Sequence, residues 1–251
     1  MTCNLLILAG TTEATGFARV AAERGLSGTV SFAGRVERPL RQPLPQRVGG
    51  FGGVAGLVAY LREARITHVI DATHPFAVQM SRNAVAACAE AGVPLVALTR
   101  PAWVPQAGDS WVRVPDIAGA VTALDRPAAR VMLAVGRMHL DEFAPNPQHH
   151  YLLRLVDPPK GALPFPQAEV IVDRGPFDAE ADRALMEQFG TEILVSKNAG
   201  GTGAHAKIAA ARALGLPVIM IDRPEAPARR ELHDPEEVFD WIAHCGTDLG
   251  V

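Results

Sequence analysis

Three short segments bring together residue types that can do chemistry. The run Ile70-Asp71-Ala72-Thr73-His74-Pro75-Phe76-Ala77 sets a carboxylate, a hydroxyl and an imidazole side by side at the end of an apolar stretch. In an open parallel sheet, ligands lie in the crevice outside the carboxyl ends of the strands, so Asp71, Thr73 and His74 are candidate catalytic residues. His74 suits proton donation, because imidazole titrates near neutral pH. The same residues also fit an architectural role: Asp71 or Thr73 can cap the following helix, Pro75 can fix its first turn, and His74 can be a hydrogen-bonded loop residue.

The second segment, Ile193-Leu194-Val195-Ser196-Lys197-Asn198-Ala199-Gly200-Gly201-Thr202-Gly203, joins a buried strand to a glycine loop that carries a cation and an amide. Lys197 can neutralise an oxyanion or phosphate, Asn198 can donate and accept, and Gly200 and Gly201 can turn backbone amides towards an anion. It is not a P-loop, since no Gly-Lys-Ser/Thr ends the run. The alternative is a simple entry into the helix containing Lys207, with Lys197 on the surface. The third segment, Leu5-Leu6-Ile7-Leu8-Ala9-Gly10-Thr11-Thr12-Glu13-Ala14-Thr15-Gly16, reads as a buried strand, a turn and a helix, the arrangement that sets a phosphate on a helix N-terminus. Thr11 and Thr12 stand where the dinucleotide pattern G-x-G-x-x-G has more glycine, so a threonine-capped connection fits as well. Arg137, after the apolar run ending at Gly136, is a further candidate cation or else an ordinary surface charge. His139, His149 and His150 do not make a metal site by spacing alone, and no metal is expected.

Positioning these groups requires alternating strands and helices. Strands are expected at Leu5–Ala9, Thr29–Ala33, His68–Ala72 and Val93–Leu98, with helices at Thr12–Arg24, Val54–Arg65 and Val78–Ala91. Residues 38–53, rich in Pro, Gly and Gln, read as loop with at most a short strand around Arg47-Val48. The repeat lapses between Thr99 and Gln106. A second series follows, with strands at Trp111–Val114, Val131–Val135, His150–Val156, Glu169–Val172, Glu192–Ser196 and Val218–Ile221. Its helices are expected near Ile117–Leu124, Asp178–Phe189, Ala204–Leu214 and Pro235–Ala243. Helices between short apolar strands favour parallel sheets covered on both faces, and hence an α/β fold of two doubly wound Rossmann-like domains, residues 1–102 and 103–251.

Composition sets limits on function. Of 251 residues, 48% are hydrophobic, which is ample for buried cores, and 24 Lys+Arg against 27 Asp+Glu leave a net charge of −3. That balance, without a basic run, gives no electrostatic footprint for nucleic acid. Cys3, Cys88 and Cys245, odd in number and widely spaced, suit a reducing compartment better than a disulfide framework. No signal-peptide pattern or bilayer-spanning run is evident, so the expected location is cytoplasmic and away from membranes.

The segments Leu8-Ala9-Gly10-Thr11-Thr12-Glu13-Ala14, Ser31-Phe32-Ala33-Gly34-Arg35, Asp71 through Ala77, and Ser196 through Gly201 followed by Lys207 together resemble the precorrin-6A reductase family of cobalamin biosynthesis. The closing run Pro217-Val218-Ile219-Met220-Ile221 and Arg223-Pro224 share that resemblance, which covers nearly the whole chain. It implies a two-domain enzyme that uses NADPH to reduce a ring double bond of precorrin-6A, giving precorrin-6B, or of the cobalt-containing equivalent. The active site is then expected in the interdomain cleft. Gly10, Thr11, Thr12, Glu13, Ser31, Gly34 and Arg35 are expected to bind the cofactor, and Arg137, His139, Lys197, Asn198, Gly200, Gly201 and Lys207 the carboxylate-rich macrocycle. Arg35 follows the second strand, where such folds read the adenosine ribose, and an arginine there favours a 2′-phosphate; Arg38 or Arg41 can serve if the loop bends back. Two other classes stay open: a noncatalytic nucleotide- or corrinoid-binding module, and a sugar-nucleotide oxidoreductase, although no Tyr-x-x-x-Lys pair stands in an appropriate helical context.

Overall fold

The four consecutive apolar residues Leu5-Leu6-Ile7-Leu8 are all buried, and they explain the first layer structure. Side chains alternate across a strand, so Leu5 and Ile7 enter one core and Leu6 and Leu8 the other. A strand buried on both faces needs helices on both, which is the parallel α/β solution. The computed structural model describes residues 3–34, 40–159, 161–175 and 177–245. Its first elements are β1 (Asn4–Leu8), α1 (Thr12–Glu23), β2 (Ser27–Phe32), β3 (Gln46–Val48), α2 (Gly53–Glu63), β4 (His68–Asp71), α3 (Val78–Ala91) and β5 (Leu95–Leu98). There follow β6 (Ser110–Val114), α4 (Ile117–Ala123), β7 (Arg130–Ala134), two 3-10 turns at Arg137–His139 and Asp141–Phe143, β8 (His150–Leu155) and β9 (Ala168–Val172). The chain closes with α5 (Ala179–Phe189), β10 (Ile193–Lys197), α6 (Ala206–Ala213), β11 (Pro217–Ile221), β12 (Glu231–Leu232) and α7 (Pro235–His244).

Two separate six-stranded sheets result, ordered β12-β5-β4-β1-β2-β3 and β6-β11-β10-β7-β8-β9, with every pairing among the described strands parallel. In the first, α1 and α7 cover one face through Phe17, Ala18, Val238 and Trp241, while α2 and α3 cover the other through Leu57, Leu61, Ala84 and Ala87. In the second, Met186 and Phe189 of α5 and Ile208 and Ala211 of α6 pack on Met132, Leu152, Leu194 and Met220. The order reverses at β1/β4 in one sheet and at β7/β10 in the other. These are the switch points, outside whose carboxyl strand ends open α/β sheets generally bind their ligands.

The chain divides into one unit through Pro101 that also includes the residues from Glu225 onward, and another spanning Ala102–Pro224. This departs from the expectation that 103–251 form one domain. The dipeptide strand β12 is too short to read as periodicity, yet Leu232 pairs with Leu98, and Val238, Phe239 and Trp241 of α7 fill the first unit's core. The expected strand from Val93 begins instead at Leu95; Pro94 has no N–H for a ladder, although its carbonyl accepts from Val69 N at 3.0 Å.

Candidate functional site

The turn after β1 is built by one threonine. Thr11 has extended backbone and caps α1, its Oγ1 accepting from Ala14 N at 3.1 Å and donating to Ala72 O at 2.9 Å. A single hydroxyl thereby orders the helix start and ties it to the end of β4, where Leu8 and Asp71 stand in register. Gly10, at φ +155°, passes close to the same strand end: a Cβ there would lie 3.7 Å from His74 N. Thr12 is exposed and donates to the Glu13 carboxylate at 3.1 Å. Glu13, in the first turn of α1, pairs with Arg100 just beyond β5, which offsets its charge at the helix end.

At the end of β4, Asp71 is fully enclosed. Its Oδ1 accepts from Thr73 N at 3.2 Å and from Thr73 Oγ1 at 2.7 Å, and its Oδ2 accepts from Arg229 Nη1 at 2.6 Å. Thr73 Oγ1 also lies 3.5 Å from Ser81 Oγ. Phe76 N donates to His74 Nδ1 at 3.2 Å, so the neutral ring carries its proton on Nε2. The carboxylate is thus architectural, with the hydroxyl bound to it, whereas the imidazole is held through Nδ1 by the Phe76 backbone. Cys88, beneath this end in α3, has its thiol pushed up to about 12 by burial and then by the nearby Asp71 charge.

Beside β1, the end of β2 is shaped by an arginine that motif reading missed. Arg47 of β3 donates to Ser31 Oγ at 2.8 Å and to the carbonyls of Gly49 and Gly50 at 3.0 and 3.2 Å, with its guanidinium 3.8 Å from the Phe51 ring centroid. Ser31 is buried and its carbonyl accepts from Ala9 N at 2.9 Å. Gly34 takes φ +77°, where only glycine is unstrained. Arg35 and Arg38 lie outside the described residues, and Arg41 is exposed.

In the second unit, the loop after β10 is held by residues on both sides of it in sequence. Asn198 Oδ1 accepts from Trp103 N at 2.8 Å and its Nδ2 donates to Trp103 O at 2.9 Å, while Trp103 Nε1 donates to Gly201 O at 2.7 Å. Arg223 Nε and Nη2 donate to the carbonyls of Asn198 and Ala199, each at 3.0 Å. Lys207 is buried, donates to Ala204 O at 2.7 Å and stands 5.2 Å from the Trp103 ring centroid. These bonds make Asn198 and Lys207 supports of the loop. Gly200 and Gly201 adopt the left-handed φ values +68° and +64°, and Lys197 is half-buried at the end of β10. His205, which packs edge-on to Trp103, is held below the usual imidazole range by burial, then by the Arg212 and Lys207 charges against the opposing Asp109.

Across the switch point, β7 is followed by Gly136 at φ +83°, and the 3-10 turn from Arg137 presents Met138, 63% exposed, between Arg137 and His139. His139 Nδ1 lies 2.6 Å from the Glu142 carboxylate. Arg100, Trp103 and Arg229 sit in proline-rich connections, where no periodicity marks a residue, while Arg47 was legible only as part of a short strand and Arg223 only as a mark of the family resemblance. Among the described residues, no helix is long and apolar enough to cross a membrane.

The precorrin-6x reductase CbiJ/CobK family matches the chain over residues 4–243. A precorrin-6A reductase of Rhodobacter capsulatus is 56% identical over 99% of this chain and 99% of its own length. A precorrin-6A reductase of a Sinorhizobium species is 44% identical over 96% and 93%. A solved structure described as CobK precorrin-6A reductase superposes with a TM-score of 0.95 at 56% identity, covering 97% of each chain. The chain belongs to the precorrin-6x reductase CbiJ/CobK family.

Proposed function

We infer that this protein is a precorrin-6A reductase, an oxidoreductase that reduces a ring double bond of the macrocycle. The observation that carries this reading is 56% identity with a precorrin-6A reductase across 99% of both chains. The two curated relatives described above are named for precorrin-6A without cobalt, and that substrate is taken as this chain's own.

NADPH is the proposed cofactor, and the residues of the first unit fit it. The strand order reverses beside a capped helix start, the first-turn N–H groups of α1 point out of the helix end, and Gly10 leaves open the space that a side chain would narrow against His74 N. Gly10, Thr11 and Thr12 would hold the pyrophosphate, with the charge of Glu13 offset by Arg100. Ser31, Gly34 and Arg35, from the end of β2 onward, would take the adenosine ribose and its 2′-phosphate. Bound NADPH supplies the hydride for the ring double bond. The chain's part is orientation and proton delivery: Thr73 and His74 border the reacting end, and His74 Nε2–H is the donor that completes the reduction. Lys197, Arg137 and His139 pair with the substrate's carboxylates, and the exposed Met138 gives its ring an apolar surface.

The test is anaerobic incubation of the protein with precorrin-6A and NADPH. A product two mass units heavier, formed with equimolar NADPH oxidation, is expected. Tight binding of both ligands without either change overturns the reductase reading in favour of a binding module, and turnover of cobalt-precorrin-6A alone overturns the substrate. Arg35→Ala is expected to weaken NADPH far more than NADH, since the two differ only at the 2′-phosphate; equal losses move that role to Arg41 or Arg38.

A further inference from the structure

The carboxylate that sequence reading placed among the catalytic residues has a partner far away in the chain. Arg229 lies in the connection between β11 and β12, its side chain only 9% exposed, and its Nη1 donates to Asp71 Oδ2 at 2.6 Å; the Asp71 side chain is 0% exposed. The opposite oxygen carries both the N–H and the hydroxyl of Thr73. A carboxylate closed off from solvent, with each oxygen already accepting a donor, has little to offer a substrate. What it can do is fix the direction in which the chain leaves β4. Thr73 is pinned twice, and the next residue, His74, is thereby presented with Nδ1 bonded to Phe76 N.

In the order β4-β1-β2, a dinucleotide crossing at the β1/β4 reversal sends its adenosine half over β2 and its other half over β4. The loop held by Asp71 therefore borders the half that carries the nicotinamide. We propose that Arg229 is a positioning residue for the reduction: through Asp71 it fixes Thr73 and His74 against the nicotinamide half of the cofactor, while leaving the adenosine half untouched. The proposal rests on the NADPH-dependent reductase reading above. Arg229 reaches this loop because β12 returns to pair with β5, so a residue of the chain's last segment helps shape a turn near its beginning.

The probes are 2′,5′-ADP, which has the adenosine half alone, and NADPH with precorrin-6A in a single-turnover assay. Arg229→Met is expected to bind 2′,5′-ADP as the wild type does and to reduce precorrin-6A about 100-fold more slowly, the scale of a misplaced reacting group. Arg229→Lys, which keeps a cation opposite Oδ2, is expected to recover most of that rate. Arg229→Met strands a buried carboxylate and can fail to fold, so the paired variant Asp71→Asn/Arg229→Met, with both charges removed, is measured beside it. A slow single turnover with intact 2′,5′-ADP binding in the paired variant supports the proposal. Wild-type turnover in either variant, or a parallel fall of 2′,5′-ADP binding and turnover in the folded paired variant, overturns it. An inactive wild-type protein removes the reductase reading and this proposal together, whereas an active wild type with a fully active Arg229→Met removes the proposal alone.

Discussion

After β1, the first sheet's central strand, the chain turns through Gly10 into a twelve-residue helix capped by Thr11. After β7, the corresponding strand of the second sheet, it turns through Gly136 into a three-residue 3-10 turn that presents Arg137, Met138 and His139. The first arrangement offers helix N–H groups and a dipole, which suit a phosphate. The second has a short 3-10 turn in its place and sets the side chains of Arg137 and His139 around an exposed methionine. The neighbouring strands differ as well: the loop after β4 is set by the charge pair of Asp71 with Arg229, and the loop after β10 by bonds of the neutral Asn198 amide to the Trp103 backbone and of Arg223 to backbone carbonyls. One strand order thus carries two kinds of strand-end turn, because the residues following each strand decide the chemistry.

The largest effect is expected from Asn198→Leu. It removes two hydrogen bonds and leaves the Trp103 backbone groups without partners, costing about 3 kcal/mol and lowering the melting temperature by roughly 6–12 °C. Substrate affinity should fall while 2′,5′-ADP binding survives. Equal loss of both ligands would break the division of labour between the two sheets. Thr11→Val removes the α1 cap and the bond to Ala72 O, at a cost of about 1–2 kcal/mol, with NADPH binding weakened about tenfold and Thr11→Ser restoring it; calorimetric titration reads this directly. An unchanged NADPH affinity would remove the phosphate role from this turn.

Lys197 and Lys207 sharpen the comparison within one loop. Lys207→Met should cost about 1 kcal/mol, from its contact with Trp103 and its bond to Ala204 O, and leave substrate affinity near the wild-type value. Lys197→Ala should do the reverse, so that equilibrium unfolding and substrate titration separate the two. The smallest effect concerns pH. His68 in the first unit is held below the imidazole value of 6.5 by burial, and His205 in the second is lowered chiefly by burial, then by neighbouring cations. The unfolded chain therefore binds protons that the folded chain refuses, so stability is full above 6.5 and declines as pH falls below it. The urea midpoint should fall between neutral pH and mildly acidic pH, less in His68→Gln and in His205→Gln; an unchanged slope in both variants assigns the loss to other groups.

Most of the fold was legible because its evidence is local. Leu5 to Leu8, Val131 to Leu133 and Ile193 to Val195 form apolar runs too short for helices and too continuous for a sheet with one wet face, which dictates buried parallel strands. The glycine turns at Gly10, Gly136 and Gly200 announced the strand ends, since positive φ favours glycine there. Family motifs supplied the reaction, which no periodicity encodes. What sequence left open was the use of each polar side chain. Asp71 and Asn198 carried the residue types of a reaction centre, and only the folded chain reveals that Arg229 and Trp103 occupy their oxygens and amide. The return of β12 to β5 belongs to the same class: a two-residue strand has no period, and its pairing is decided by where a distant edge stands open. Local pattern fixes elements because propensity and burial act within a few residues, whereas hydrogen-bond partners are chosen across the chain and exist only once tertiary packing has brought them together.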